Sequence, residues 1–454
     1  MLNRVITVDF NKKCGKIKPL GGINGAPRSG GYNLPYDFTE EFAQMNIPFV
    51  RVGMPTGEYG LNQFVDIHAI FPDPDADETL EESYNFLPTD LYIASVRGAG
   101  SDVFFRLGES REPYSRRLYT TLSVTPEKWA SICEHIIMHY NEGWAAGYKL
   151  GIKWWEIWSG ADSPEGFSGT PHEYYELYRV TANRLRERFP KIKIGGYGMG
   201  GFYSQNRLDA TEEMKSYVPF MQKFFTYITR EETKAPLDFF TWNCYTASPD
   251  ELAMHIKYAR TFLDGQGLRR TKCVIAEYNT LPRQDLPPAL KDSFPAELGA
   301  SLILAEKNSA DMMFYSTSDP RSRMNGLFSV DDYVTHRHYA AYNVMCAFGK
   351  LYKLGTAIET TGDYRREIYS LAATDGEEAK LMLVTSGYSG RVELVLYGCN
   401  YTTCSVEKIA AGGERGAGTV YRAENVPISG GKIIIPAKKN EILLISLFDK
   451  KDII

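Results

Sequence analysis

From about residue 18 to 345, short and nearly continuous apolar runs alternate with longer stretches whose apolar residues recur at helical spacing. The runs are IPFVRVG (47–53), VFFRLGE (103–109), IKWWEIW (152–158), IKIGGYG (192–198), LDFFTWNCY (237–245), KCVIAEYN (272–279) and DMMFYSTSD (311–319). A weaker first run lies in KPLGGIN (18–24). A strand of a parallel sheet is covered on both faces, so it reads as continuous apolar sequence rather than as alternation. Eight such runs, each leading into a helix pattern where the length allows, predict an α/β fold with a (β/α)8 TIM barrel over residues 18–345. Helix starts are marked in the sequence. Thr170-Pro171-His172-Glu173 and Ser248-Pro249-Asp250-Glu251 both read as capping boxes with proline at the first helical position, and Thr125-Pro126 opens a third helix. Behind Ser248 the residues Leu252, Ile256, Ala259, Phe262 and Leu263 hold a helical period that stops at Gly265.

After about residue 350 the texture changes to strands without intervening helices, as in AKLMLVTSGYSGRVELVLYG and GKIIIPAKKNEILLISL. Period-two alternation broken by Gly, Ser and Asn predicts a C-terminal antiparallel β-sandwich over 350–454, joined by the N-terminal strand 1–17.

Composition narrows the partners. Lys+Arg 51 against Asp+Glu 56 leaves a net charge of −5 without blocks of like charge, so no basic footprint for nucleic acid or an anionic membrane is present. No apolar run is long enough to span a bilayer, and the first residues alternate like a strand instead of forming a signal-peptide core, so a cytoplasmic location is expected. Seven scattered cysteines without a C-x-x-C pattern suggest reduced core residues rather than a disulfide framework or a zinc site. The seven histidines show no metal-ligand spacing, and GMGG (198–201) lacks a full phosphate-binding fingerprint, so no metal or other cofactor is expected. A homo-oligomer is compatible with the sequence. Aromatic residues at 13% are more often core than platform, and they also suit the flat faces on which sugars stack.

In a (β/α)8 barrel the active site lies at the C-terminal ends of the strands. The apolar runs deliver Arg51, Arg106, Glu109, Glu156, Asn243, Tyr245, Glu277, Asn279 and Asp319 to that end. Glu277 closes the strand VIAEY, where a carboxylate is costly unless it is paired or functional. Tyr245 ends the preceding strand and is placed to hold such a carboxylate. Arg51 and Arg106, on barrel strands, require carboxylate partners, which points to an ionic cluster at one end of the barrel.

These residues resemble a known family. WWEIWSGADSPEGFSGTPHEYYELY (154–178) is similar to the fourth-strand signature of glycoside hydrolase family 39, W-E-x-W-N-E-P-D followed by F-W-x-G-T-x-x-E-Y-x-x-L-Y. Further similarities follow in order: VRVG (50–53), RLGES (106–110), IGGYG (194–198), DFFTWNCY (238–245), VIAEYN (274–279) and FYSTSD (314–319). The resemblance covers nearly the whole barrel and the sheet beyond it. It implies a retaining glycosidase, in which two carboxylates roughly 5–5.5 Å apart act as nucleophile and as general acid then base. By that resemblance Glu277 matches the nucleophile, and Arg51, Glu109, Trp158, Ser159, Asn243, Tyr245 and Asp319 fall at substrate-binding positions. The acid/base glutamate is due at residue 160, where this chain has Gly160; its preceding asparagine is Ser159. Gly53 and Asn243 each stand where the family has histidine, and Ala161 replaces the turn proline. Asp162 matches a loop aspartate of the family and is one candidate substitute for the lost acid, with Glu165 and Glu109. The resemblance therefore implies an exo-acting retaining glycosidase on pentose- or uronic-acid-containing glycans, and the alternative is a carbohydrate-binding protein without turnover.

Overall fold

The computed structural model describes residues 4–28, 36–52, 66–109, 124–280, 293–318, 325–330, 336–410 and 419–449. After an opening strand β1 (Arg4–Lys16), the apolar runs form eight parallel strands: β2 (Gly22–Asn24), β3 (Phe49–Val52), β4 (Asp102–Leu107), β5 (Trp154–Ile157), β6 (Lys193–Met199), β7 (Phe239–Tyr245), β8 (Lys272–Asn279) and β9 (Met312–Tyr315). Each pairs with the next, and β2 also pairs with β9, which closes the barrel. The helices described around and between the strands are α1 (Thr39–Gln44), α2 (Ile67–Ile70), α3 (Leu87–Gly98), α4 (Pro126–Asn141), α5 (Pro171–Arg188), α6 (Glu212–Thr229), α7 (Pro249–Gly265), α8 (Phe294–Lys307) and α9 (Ala340–Leu354). None of them is long and apolar enough to cross a membrane.

Strand alternation sorts the barrel interior into layers. Phe104, Phe239, Val274, Met312 and Phe314 form a dry floor against Trp154 and Phe49. Two residues further along the same strands, the side chains become Arg51, Arg106 and Glu156, all of them buried. Beneath this charged layer the floor is apolar, so partners for its charges come from within the layer, as Glu156 for Arg51, and from the chain just before α2, as Asp66 for Arg106.

The short strands β10 (Phe328–Val330) and β11 (His336–His338) pair as a small antiparallel ribbon before α9. Eight strands follow: β12 (Thr356–Thr361), β13 (Tyr369–Thr374), β14 (Ala379–Thr385), β15 (Gly390–Tyr397), β16 (Thr403–Ala410), β17 (Thr419–Pro427), β18 (Lys432–Ala437) and β19 (Glu441–Phe448). With β1 they make one continuous nine-stranded sheet, ordered β17-β16-β19-β14-β13-β12-β1-β15-β18. The expected sandwich is thus a single sheet curled around its own core, which includes Ile6, Leu383, Leu394, Ile433 and Ile445. It is antiparallel except where β1 runs parallel to β15. The opposite face of β14 and β19, through Met382, Val384, Ile442 and Leu444, joins the barrel core. There α8 approaches so closely that a Cβ on Gly299 would lie 2.9 Å from a Val384 methyl.

The caps behave as their sequences predict, with one difference. At α5 the capping box is complete: Glu173 N–H donates to Thr170 Oγ1 and the Thr170 N–H donates to the Glu173 carboxylate. At α7 Ser248 accepts from the Glu251 N–H, but the Glu251 carboxylate is taken by the Arg207 guanidinium at 2.6 and 2.8 Å and by Asn206 and Thr246. A charged bidentate partner outcompetes a backbone N–H for that carboxylate.

One turn along α7, His255 is buried against Phe202 and Tyr203, and neither ring nitrogen has a hydrogen-bond partner. Burial holds its pKa down at about 4, against 6.5 in an exposed histidine, with Glu251 pulling the other way and Arg207 adding to the depression. Between those two values the unfolded chain binds a proton that the folded chain refuses, so stability falls as pH drops through this window. His255→Phe is expected to flatten the acid limb of a stability–pH curve between about pH 6.5 and 4; an unchanged limb in denaturant titrations would reject this assignment.

Candidate active site

A break in the regular strand pairing aims Glu277. Trp242 pairs with Ile275, yet the next residue, Asn243, pairs with Glu277, so Ala276 is an extra residue in β8. By plain alternation from Val274, Ala276 would face the barrel interior and Glu277 would face the helices. The bulge reverses this. Glu277 enters the barrel, while Tyr278 turns outward and donates to Ser301 on α8 at 2.8 Å. Asn24 at the end of β2 donates to the Ala276 carbonyl oxygen at 2.8 Å, which satisfies an acceptor at the interrupted ladder.

The Glu277 carboxylate is held from two sides. Tyr245 Oη donates to its Oε2 at 2.6 Å, and Arg51 Nη1 lies 3.5 Å from Oε1. Burial, reinforced by the adjacent Glu277 charge, pushes the Tyr245 phenol well above its usual range, so it stays protonated and remains the donor. Ser316, just beyond β9, lies 3.4 Å from the same hydroxyl.

Arg51 organises the centre. Fully buried, it donates from Nε to Glu156 at 2.7 Å, from Nη1 to Asn24 at 2.9 Å and from Nη2 to Ser159 Oγ at 3.2 Å. Burial opposes its charge, but Glu156 and Glu277 outweigh that and hold the guanidinium above its ordinary pKa. Arg106 finds its partner in Asp66 at 2.6 Å; burial and the nearby Arg51 charge keep its pKa below the usual value. The ionic cluster expected of two barrel arginines is therefore present. Glu156, fully buried, spends one carboxylate oxygen on Arg51 Nε. Asn243 sits beside Glu277 in the strand register, and its buried Oδ1 has no hydrogen-bond partner, an acceptor left open next to the carboxylate.

The turn after β5 is built on tight backbone contacts. Trp158 has φ +69° and is buried between Trp129 and Phe167, with its indole N–H donating to the Gly166 carbonyl oxygen at 3.1 Å. Gly160 has φ +67°, and its N–H lies 3.0 and 2.9 Å from the carbonyl oxygens of Tyr197 and Gly198. Left-handed backbone of this kind costs an L side chain roughly 1–2 kcal/mol, and glycine avoids it. Across from it, a Cβ on Gly198 would fall 2.4 Å from Ser159 Oγ. The aromatic strand thus ends in small residues because β6 passes close by and the chain turns left-handed there.

Arg51, Ser159, Tyr245 and Glu277 come together as expected, with Asn243 alongside. Trp158 is fully buried against Trp129 and Phe167 and braces the turn through the Gly166 carbonyl oxygen. Asp162 is buried, and its Oδ2 accepts from the Gly200 N–H at 2.9 Å, tying the β5 loop to the β6 loop. Glu109 is buried beside His68 Nδ1 at 3.4 Å. Asp319 and Gly53 lie outside the described residues. Sequence reasoning did not single out Asn24 or Ser316, and Asp66 as the partner of Arg106 was equally hidden; a polar residue closing the short strand GIN was the only signal for Asn24.

A closed eight-stranded parallel barrel with a polar and charged cluster at the C-terminal ends of its strands and an appended curled sheet defines a TIM-barrel fold of the α/β class. No family model matches the chain. Among solved structures, a glucosidase from Croceicoccus marinus is similar over 99% of each chain, with a TM-score of 0.76 and 19% identity. A GH39 β-xylosidase from Caulobacter crescentus matches over 98% of this chain and all of its own, with a TM-score of 0.68 and 13% identity. An α-L-arabinofuranosidase from Thermotoga maritima matches over 98% and 99%, with a TM-score of 0.66 and 13% identity. The fold is similar to the folds of these enzymes, and at these identities the likeness is one of fold alone.

Proposed function

We propose that the protein is a retaining glycosidase, exo-acting on pentose- or uronic-acid-containing glycans, with Glu277 as its nucleophile. The observation that carries this reading is the bulge at Ala276, which turns Glu277 into the barrel between Arg51 and Tyr245. Both partners donate to the carboxylate, which fixes the direction of its oxygens toward a sugar seated above the charged layer. Attack by one oxygen on the anomeric carbon forms a glycosyl ester, which water then hydrolyses with net retention. Ser159 Oγ, anchored by Arg51, and the open Asn243 Oδ1 are placed to meet sugar hydroxyls. Substrate is the only partner this reading requires.

Gly160 favours a second reading, a carbohydrate-binding protein without turnover, because the residue that should donate the proton has no side chain. A positioned acid contributes about 10²–10⁴-fold, a loss that matters for poor leaving groups and little for activated ones. Aryl pentosides and uronides with activated leaving groups separate the two readings. The proposal expects release of the aryl group with retention at the anomeric carbon, followed by NMR. Saturable binding of the same glycosides without release would replace it with the second reading.

A further inference from the structure

At the end of the barrel opposite Glu277, the segments leading into β2, β8 and β9 flank an open cavity of about 560 Å³. Lys18, Arg260, Arg269, Arg270 and Lys272 line it, against one carboxylate, Asp311. The whole chain carries a net charge of −5, so this concentration of positive charge runs against the balance of the molecule. Two of the cations are paired: Lys272 Nζ lies 2.7 Å from Asp311, and Arg260 Nη2 lies 2.8 Å from Asp264. The other three are uncompensated. Arg269 and Arg270 are exposed, and among the described residues neither has a hydrogen-bond or ion-pair partner. Lys18 is half-buried, and its ammonium donates to two neutral acceptors, the carbonyl oxygens of Glu306 at 2.7 Å and Asn308 at 2.5 Å. One of its three N–H bonds is left uncommitted. The Glu306 carboxylate is occupied by the Lys18 backbone N–H at 2.9 Å. Burial keeps the Lys18 pKa below its usual value, although Glu306 and Asp311 draw it upward.

The backbone that carries these cations is braced. Arg269 and Arg270 are the central residues of a turn closed by the Thr271 N–H on the Leu268 carbonyl oxygen at 3.1 Å. Arg260, from the last turns of α7, ties both ends of that turn by donating to the carbonyl oxygens of Leu268 at 2.9 Å and Thr271 at 2.7 Å. Thr271 Oγ1 fastens the turn to the barrel through the Leu237 carbonyl oxygen at 2.8 Å. The two free guanidinium groups therefore spring from a fixed turn, and a ligand need not order the backbone first. We propose that this cavity binds a diphosphate group, either as the free ion or carried on a small molecule. Guanidinium forks match phosphate oxygens in pairs, and an ammonium such as that of Lys18 serves as a point charge beside them. Two linked phosphates bring more negative charge than a single carboxylate or sulfate, as three uncompensated cations require. The cavity is larger than a diphosphate alone needs, which leaves room for an attached organic group. Nothing in the glycosidase reading uses this end of the barrel, so the two proposals stand or fall separately.

Isothermal titration calorimetry of the full chain with inorganic pyrophosphate, at low ionic strength, tests this. Saturable binding at one site per chain is expected, weakening as salt is added. The double variant Arg269→Ala with Arg270→Ala removes two exposed side chains that hold nothing else together, so it should fold as wild type does. Its affinity for pyrophosphate is expected to fall at least about tenfold, the scale of a lost charge-assisted hydrogen bond. Sulfate should bind more weakly than pyrophosphate. A nucleoside diphosphate separates the two sources: tighter binding than pyrophosphate assigns the cavity to an organic diphosphate, and equal or weaker binding assigns it to the free ion. Absence of saturable pyrophosphate binding to wild type, or binding that the double variant leaves unchanged, overturns the proposal. Sulfate binding as tight as pyrophosphate also overturns it, because the cavity would then collect anions without regard to their chemistry.

Discussion

Replacing Arg51 by leucine is expected to destabilise the fold by about 3–5 kcal/mol, the usual consequence of removing one partner from a buried ion pair. Glu156 and Arg51 are both fully buried and 2.7 Å apart, and the apolar floor beneath them offers no partner for the charge left behind. Asn24 and Ser159 would lose their donor in the same step. Chemical denaturation reads the effect directly. A double variant, Arg51→Leu with Glu156→Leu, is expected to recover a large part of the loss, since it removes the orphaned charge along with its partner. If the two single losses simply add, Glu156 does not depend on Arg51 and the centre is organised otherwise.

The second large effect is on turnover. Glu277→Gln keeps the length of the side chain but removes the negative charge and sets an amide N–H₂ among donors. Arg51 retains Glu156, and Tyr245 has Ser316 Oγ within 3.4 Å as another neighbour, so the barrel should fold with a modest change in stability. Hydrolysis of every substrate, activated leaving groups included, should fall by several orders of magnitude, because no ester can form. A Glu277→Gln protein that keeps near wild-type rates on activated aryl glycosides would remove Glu277 from the chemistry.

The barrel was legible because strands covered on both faces must be apolar throughout, and seven of the eight runs announce themselves in that way. The strand GIN, only three residues long, is set more by closure of the ring between β3 and β9 than by its own pattern. Glu277 was legible as an isolated carboxylate after Val-Ile-Ala, but the direction of its side chain was not. Period-two reasoning alone points it outward, and one extra residue in β8 reverses that. The role of Asn24 depends on the same bulge. The capping box at Ser248 was read from local spacing, whereas the carboxylate answers to Arg207, more than forty residues away in sequence. Alternation gave the strands of the C-terminal sheet, while their union into one curled sheet follows from β1 inserting between β12 and β15. Gly160 appeared in the sequence as a missing side chain. In the fold it is also a left-handed turn residue pressed by Gly166.

The central claim is that Glu277 forms a covalent bond to the sugar. A 2-deoxy-2-fluoro glycoside with an activated leaving group, of whichever sugar the enzyme turns over, tests it most directly. Fluorine slows formation and breakdown of the ester, and the good leaving group speeds formation alone, so the intermediate accumulates. Peptide mass spectrometry is expected to show the mass of one fluorosugar on the peptide that carries Glu277, and none in the Glu277→Gln protein. Turnover with a fluorosugar attached to a different carboxylate, or with no adduct on any peptide, would contradict it.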